Sequence, residues 1–432
     1  MGQTITEKIL ALHADRAAVQ PGDNVWVAVD VLMTHDVCGP GTIGVFEREF
    51  GADARVFDLE KVVIIPDHYI YTLDPMCQRN VVTLREFARR QGLRYFYDPD
   101  TEAYKGVCHV GLAQEGHARP GEVMIGTDSH TCTSGAFGEF ATGVGNTDAG
   151  FALGTGRILL KVPPTLRFVI EGELPAGVMA KDIILRIIGQ LGVDGATYCA
   201  MEFAGSCVAA LSMEERMTLC NMAIEAGAKN GIIAPDATTR EYVKARTHTP
   251  FIEAQSDRSA AFAAVHTYAA HEFVPAVAKP HSPDNYAPAA ECSAVKIDRA
   301  YIGSCTGGKT SDFLAAAQIL HGRRVSVDTF LVPATRQVER DLQRVKLHGT
   351  PLARIFSDAG CQPIAPPNCA ACLGGPVDTY GRTRGAEVVI STTNRNFPGR
   401  MGSPASAVFL ASPYTVAASA VRGVITDPRE FV

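Results

Sequence analysis

The feature that most constrains the fold is a regular alternation of short β-branched runs with amphipathic helical patterns along the 432-residue chain. Seven apolar runs predict strands, at residues 24–30, 61–67, 122–128, 165–172, 294–303, 325–332 and 386–393. Four segments with apolar residues every three or four positions predict helices, at residues 181–191, 213–227, 311–322 and 335–349. Strands that alternate with helices form mostly parallel sheets, so the sequence predicts an α/β fold. Ligands of such folds gather at the carboxyl ends of the strands.

The chain is too long for one ordinary domain, and two breaks in its pattern predict three. One break is the Pro-rich stretch at residues 280–289, and the other lies at residues 162–164. We therefore expect α/β domains at residues 1–163, 164–288 and 289–432.

Charge and hydropathy exclude some function classes. The formal net charge is -6 and no Lys/Arg-rich run occurs, which predicts no nucleic-acid partner. The longest uncharged stretch, residues 401–421, contains two prolines, so we expect no membrane span. Charged residues come too early at the N-terminus for a secretory leader, which predicts a cytoplasmic protein.

Three of the twelve cysteines stand out as candidate metal ligands, because a reducing compartment disfavours disulfides. Cys369 and Cys372 form a C-x-x-C pair in a Gly/Pro-rich loop, a motif shared by redox dithiols, zinc sites and iron–sulfur sites. A zinc site would call for a second such pair, which the sequence lacks. Cys305 precedes a predicted helix whose N-terminus favours a thiolate. Spacing alone leaves a [4Fe–4S] cluster and a coincidence of core cysteines equally open.

The loop around Cys305 also matches a nucleotide-binding motif. Residues Gly303–Thr310 fit the P-loop pattern, and they lie between a predicted strand and a predicted helix. A phosphate-binding loop is therefore an open alternative at this stage. No apolar strand ending in Asp offers a clear magnesium partner.

Histidines and carboxylates follow several of the predicted strands. They are His35 with Asp36, Asp67 with His68, His109, and Asp128 with Ser129 and His130. A carboxylate beside a histidine fixes its tautomer and raises its pKa, as general acid–base catalysis requires. One such pair is more often a structural hydrogen bond than a catalytic dyad. Several pairs at strand ends predict one shared pocket.

Residues 106–150 resemble the central motif of the aconitase superfamily, and residues 302–308 and 368–375 resemble its cluster motifs. Further blocks match at residues 217–236 and 392–402, in the order in which the family has them. The resemblance runs from about residue 3 to residue 430. It argues against the nucleotide-binding alternative and implies three domains around a central iron–sulfur site.

The resemblance implies a role for each matching residue. Cys305, Cys369 and Cys372 would hold a [4Fe–4S] cluster with one iron free of protein ligands. Acid–base catalysis would fall to Asp67, His68, His109, Asp128 and His130, with Glu202 hydrogen-bonding the oxygen at the iron. Substrate would be bound by His35, Ser129, Lys309, Asn394 and Arg395.

The resemblance also implies an activity and a partner. The expected reaction is reversible dehydration of a malate-type 2-hydroxy dicarboxylic acid, either 3-isopropylmalate or a small methylated malate, with homoaconitase as the alternative. Residues 305–309 read CTGGK where relatives usually have CTNGR, which leaves the substrate open. Little chain follows residue 400, so we expect the family's fourth, swivelling domain on a separate small subunit.

Overall fold

The computed structural model describes residues 2–432. The first part of the chain forms a parallel five-stranded sheet in the order β4-β3-β2-β5-β6, and an antiparallel ribbon of β1 and β7. Its strands are β1 (Asn24–Ala28), β2 (Val31–Thr34), β3 (Val62–Ile64), β4 (Tyr95–Phe96), β5 (Val123–Gly126), β6 (Phe140–Gly143) and β7 (Arg157–Lys161). Its helices are α1 (Ile5–His13), α2 (Gly39–Phe50), α3 (Pro75–Gln91), α4 (Cys108–Gln114) and α5 (Asn146–Thr155). Strands β2, β3 and β5 are buried throughout, which explains their uninterrupted apolar sequences.

The middle of the chain forms a parallel four-stranded sheet in the order β10-β9-β8-β11. Its strands are β8 (Thr165–Glu171), β9 (Ala200–Ala204), β10 (Asn230–Ile233) and β11 (Ala264–Ala269). Its helices are α6 (Ala180–Leu191), α7 (Ser206–Ala210), α8 (Met213–Asn221) and α9 (Ala237–Lys244).

The last part forms a six-stranded sheet in the order β13-β12-β19-β18-β14-β15. Strand β12 is antiparallel to both β13 and β19, and the pairs from β19 to β15 are parallel. Its strands are β12 (Ala276–Ala278), β13 (Tyr286–Pro288), β14 (Arg299–Ile302), β15 (Asp328–Leu331), β18 (Val388–Ser391) and β19 (Ala407–Ala411), and a short hairpin adds β16 (Lys346–Leu347) and β17 (Thr350–Pro351). Its helices are α10 (Thr310–Leu320), α11 (Arg336–Arg344), α12 (Leu352–Asp358) and α13 (Pro413–Arg422).

The predicted α/β class with mostly parallel sheets is confirmed. Each predicted strand and helix overlaps an element of its type. Two predicted helices are too long: α8 ends at Asn221 and continues as a 3₁₀ helix, Met222–Ala226, and α11 ends at Arg344, before β16. The division into three domains stays a prediction. The third sheet begins with β12, before the expected boundary at residue 288.

One hydrophobic core contacts all three parts of the chain and includes the three candidate cysteines. None of the described helices is long and apolar enough to cross a membrane.

Candidate active site

The order of the first sheet brings the predicted histidines and carboxylates together. Strands β3, β2 and β5 are parallel neighbours, so the loops that follow them lie at one edge of the sheet. These loops carry Asp67, His35 and Asp128, respectively, while His109 lies in the first turn of α4. The structure therefore brings these residues together at one edge of the sheet, and their use as one catalytic pocket stays a prediction.

Asp67 and His68 form a buried ion pair. The Nδ1 atom of His68 lies 2.6 Å from an Asp67 carboxylate oxygen, whose partner oxygen accepts a hydrogen bond from the Cys108 amide at 2.8 Å. Burial alone would lower the pKa of His68, but the Asp67 carboxylate outweighs it and raises the pKa to about 9. His68 is therefore an imidazolium at neutral pH, and its Nε2 is the nitrogen left to donate a proton.

Asp128 is the centre of the second group. Its Oδ1 lies 2.9 Å from Nε2 of His109 and accepts a hydrogen bond from the His130 amide at 2.8 Å. Its Oδ2 lies 3.7 Å from Nε2 of His35. Burial would raise the pKa of Asp128, but His109 and then His130 hold it well below its usual value. Half-buried Ser129 places its Oγ 3.3 Å from Nδ1 of His130.

The sequence suggested that Asp36 pairs with the neighbouring His35, but in the structure it does not. Its carboxylate instead accepts hydrogen bonds from the amides of Asp67, His68 and Tyr69, at 2.8, 3.0 and 2.7 Å. Asp36 therefore fixes the backbone that carries the Asp67–His68 pair. Burial, and then the charge of His68, lower the pKa of His35, whose ring centroid lies 4.6 Å from that of His68.

The acidic residue of this pocket is Glu225, not Glu202. Glu225 accepts from Nε2 of His130 at 2.7 Å and from Nε of Arg395 at 2.8 and 2.9 Å. Burial would raise the pKa of Glu225, but these two partners lower it. Glu202 lies on β9 and accepts from the Ser256 hydroxyl at 2.6 Å, so the structure does not bring it to the pocket. The 3₁₀ turn after α8 positions Glu225, and a sequence pattern does not distinguish it from a helical surface residue.

The cysteines lie beside the acid–base groups. The Cys369 amide donates to the Asp67 carbonyl at 2.8 Å, which joins the cysteine loop to the acid–base loop. Cys305, Cys369 and Cys372 are all buried in the same core. The structure joins Cys369 and Cys372 as a disulfide, although the sequence predicted free thiols.

The donor set fits an iron–sulfur cluster. Three buried sulfurs on two loops are soft ligands, and burial raises the pKa of the Cys305 thiol, so a bound metal would have to displace its proton. The side-chain amides of Asn221 and Asn394 donate to the Cys305 sulfur at 3.1 and 3.4 Å, as donors to cluster sulfurs do. Oδ1 of Asn394 is buried and lacks a hydrogen-bond partner in the described chain. Cluster binding calls for the thiolate form of Cys369 and Cys372, so an added thiol reductant would first have to break this disulfide.

Lys309 is not placed to bind substrate or phosphate. It is fully buried, and its Nζ contacts Asp312 at 2.7 Å, the Thr218 hydroxyl at 2.9 Å and the Cys305 carbonyl at 3.3 Å. These three partners use all three donors of its ammonium group. In the segment that matches the P-loop pattern, the lysine side chain therefore points to the protein interior. A Cβ at Gly307 would collide with Thr392, which accounts for glycine at that position.

Two arginines follow β18. Arg395 is paired with Glu225, as described above, and Asn394 lies between Asn221 and Cys305. Arg400 was not singled out by the sequence, yet its Nε is buried and has no hydrogen-bond partner among residues 2–432. A buried guanidinium with a free N–H donor can bind a carboxylate.

The sequence is similar to known proteins along nearly its whole length. A model of the aconitase family (aconitate hydratase) matches residues 7–423. The chain is 60% identical to the 3-isopropylmalate dehydratase large subunit, chloroplastic, of Arabidopsis thaliana, over 100% of this chain and 87% of the relative. It is 45% identical to 3-isopropylmalate dehydratase large subunit 1 of Methanopyrus kandleri, over 100% of both chains. Its identity to the 3-isopropylmalate dehydratase large subunit of Aquifex aeolicus is 43%, over 100% of this chain and 98% of the relative.

Proposed function

The chain belongs to the aconitase family, and on that premise we propose that it is the large subunit of a 3-isopropylmalate dehydratase. The predicted family and the predicted hydro-lyase class are confirmed. The observation that carries the proposal is the 2.8 Å hydrogen bond from the Cys369 amide to the Asp67 carbonyl. It sets a metal-ligand loop against a histidine–carboxylate pair, which is the combination that dehydration of a hydroxy acid needs. The relatives' name supplies the substrate, and homoaconitase is the alternative within the class.

We assign the cofactor to Cys305, Cys369 and Cys372. They would hold a [4Fe–4S] cluster whose fourth iron has no protein ligand, and when bound it would supply a Lewis acid for the substrate's hydroxyl and carboxylate. Asn221 and Asn394 would stabilise the charge on the Cys305 sulfur through their side-chain amides.

The acid–base residues would donate a proton to the leaving hydroxyl and hold the rings around it in place. His68 is protonated at neutral pH, because Asp67 raises its pKa to about 9, and its Nε2 can donate a proton. Asp128 holds His109 by a 2.9 Å hydrogen bond, which fixes the orientation of that ring beside the same pocket. Glu225 fixes the orientation of the His130 ring through the 2.7 Å contact to its Nε2.

Substrate carboxylates would be bound from the loop after β18 and from Ser129. Arg400 offers a buried Nε without a partner in the described chain, so it can pair with a carboxylate without breaking an existing bond. Arg395 is already held by Glu225 and would present its remaining donors in a fixed direction. His35, whose pKa burial lowers, would face the substrate as a neutral ring.

The partner would be a separate small subunit, because the relatives are named large subunits. We assign to it the base that removes the carbon-bound proton and further carboxylate-binding groups.

The experiment is a hydration assay of the anaerobically reconstituted chain, with and without the small subunit of the same organism. Isopropylmaleate, citraconate, dimethylmaleate and homoaconitate are the substrates. We expect isopropylmaleate to be hydrated fastest, and only when both subunits are present. Preference for homoaconitate would establish the alternative. Tight magnesium-dependent ATP binding with no hydration of any substrate would overturn the proposal.

A further inference from the structure

We infer that Trp26, Leu159 and Tyr198 form the surface on which the small subunit docks, and we call these three residues the ribbon patch. The inference rests on the proposed function, since it names the place where the second subunit of that enzyme binds.

The ribbon of β1 and β7 presents apolar side chains to solvent. Trp26 and Leu159 are directly opposed across the two strands, so their side chains share one face. They are 57% and 52% exposed, while their strand neighbours Val25 and Ile158 are buried. The outward face of an antiparallel pair is normally polar, and Trp26 is the only tryptophan of the chain. An exposed Trp–Leu pair of this kind is typical of a binding surface.

Tyr198 extends the patch, and two contacts orient its side chain. Its φ of 57° lies in the left-handed region, which is uncommon for an aromatic residue. The Lys161 amide donates to its hydroxyl at 3.3 Å, and the Lys229 ammonium lies 5.2 Å from its ring centroid. A rigid aromatic side chain loses little entropy on binding a partner.

A cavity connects the ribbon patch to the active site. It has a volume of about 740 Å³, and Leu159 and Tyr198 line one part of it. Cys38, Ser129 and Ile224 line it as well, and Ser129 contacts His130 of the acid–base group. A protein that covers the ribbon patch would therefore also cover the cavity that reaches Ser129. We assign Ser129 to substrate binding, so a subunit that brings further groups to the substrate would cover this cavity, which favours the small subunit over a second copy of this chain.

Basic side chains border the patch, although one of them, Arg157, lies 3.5 Å from the exposed Asp15 carboxylate. Arg157 and Lys161 are exposed on β7, and half-buried Lys229 lines the cavity. Asp148 is the acidic side chain lining this cavity. We therefore expect the docking face of the small subunit to be acidic, with an apolar centre that receives Trp26.

The test is a titration of the reconstituted chain with the small subunit, followed by tryptophan fluorescence and by calorimetry. We expect the emission of Trp26 to shift to shorter wavelength on binding. Trp26→Ala and Leu159→Ser should each raise the Kd at least about tenfold, as centres of an interface do. At saturating small subunit both variants should keep kcat within about twofold, because neither residue belongs to the catalytic machinery. Val265→Ser is the matched control, since Val265 is also a strand residue, 56% exposed, away from this cavity.

The outcomes separate this inference from the proposed function. If activity is reconstituted but both variants bind the small subunit as tightly as the parent, the ribbon patch is not the docking surface, while the proposed function stands. If binding buries Trp26 but no hydratase activity appears, the docking surface stands and the proposed function falls. If the chain instead self-associates through Trp26 and the small subunit does not compete, a second copy is the occupant and the inference is overturned.

Discussion

The two halves of the candidate active site differ in how completely the chain satisfies them. In the half built on the first sheet, Asp36, Asp67 and Asp128 each accept hydrogen bonds from named amides or histidines. In the half built on the third sheet, Oδ1 of Asn394 and Nε of Arg400 are buried and lack partners in the part of the chain that the structure describes. Nε2 of His35, in the first half, is likewise buried without a partner in the described chain. The first half is therefore complete in its carboxylates, whereas the second leaves an amide oxygen and a guanidinium nitrogen free for something to bind.

The largest effect should come from disturbing the complete half. Asp67→Asn removes the carboxylate that keeps His68 protonated, so kcat should fall about 100- to 10,000-fold with little change in KM. Steady-state kinetics of the reconstituted two-subunit enzyme measures this, and Asp53→Asn, at an exposed position, is the control. An unchanged kcat would show that His68 does not need its partner.

The next largest effect on kcat should come from Glu225. Glu225→Gln weakens the orientation of both His130 and Arg395, and kcat should fall about 10- to 100-fold. Glu202→Gln is a matched control, since both glutamates are buried, and it should leave kcat within about twofold. The reverse pattern would restore Glu202 to the site.

The incomplete half should respond in binding more than in turnover. Arg400→Gln removes the guanidinium that we assign to a substrate carboxylate, and KM should rise about 10- to 100-fold. Arg384→Gln changes an exposed arginine of the same region and should have no effect. A fall in kcat alone would place Arg400 outside substrate binding.

A histidine without a carboxylate shows by contrast what Asp67 does for His68. His117 is buried, and its Nε2 lies 2.7 Å from the Tyr97 hydroxyl. Because burial disfavours the charged ring, the pKa of His117 is lowered to about 3. The unfolded chain takes up a proton at His117 near the ordinary pKa of about 6.5, and the folded chain does not. This contribution to stability is full above that pH and is lost as the pH falls toward 3.

His117→Gln, which keeps a polar partner for Tyr97 but cannot be protonated, should remove this dependence. Between pH 7 and pH 5 the parent should lose about 2 kcal/mol more unfolding free energy than the variant. Denaturant unfolding at the two pH values measures the difference. Equal losses would mean that His117 is protonated in the folded chain.

Much of the fold and half of the site follow from local sequence. Buried parallel strands are apolar throughout, so their positions are visible in the sequence, and the residues after them converge because β3, β2 and β5 are neighbours. Asp67, His68 and Asp128 were predicted in this way.

The rest depends on contacts that no local pattern encodes. Arg395 and Glu225 are 170 positions apart, and only the turn after α8 directs Glu225 toward His130. Lys309 was expected at the substrate, but Asp312, one helical turn away, holds it in the interior. Burial of a charged group depends on such partners, which a single sequence does not reveal.

We propose that the three cysteines hold the cofactor of a two-subunit hydro-lyase. Iron and sulfide content, measured together with isopropylmaleate hydration after anaerobic reconstitution, tests it most directly. We expect about four irons per parent chain. Cys369→Ser should lose most of that iron and about a thousandfold or more in rate. Cys361→Ser, at a cysteine outside the site, should match the parent in both. A Cys369→Ser variant with the parent's iron content and rate would show that Cys369 does not hold the cofactor.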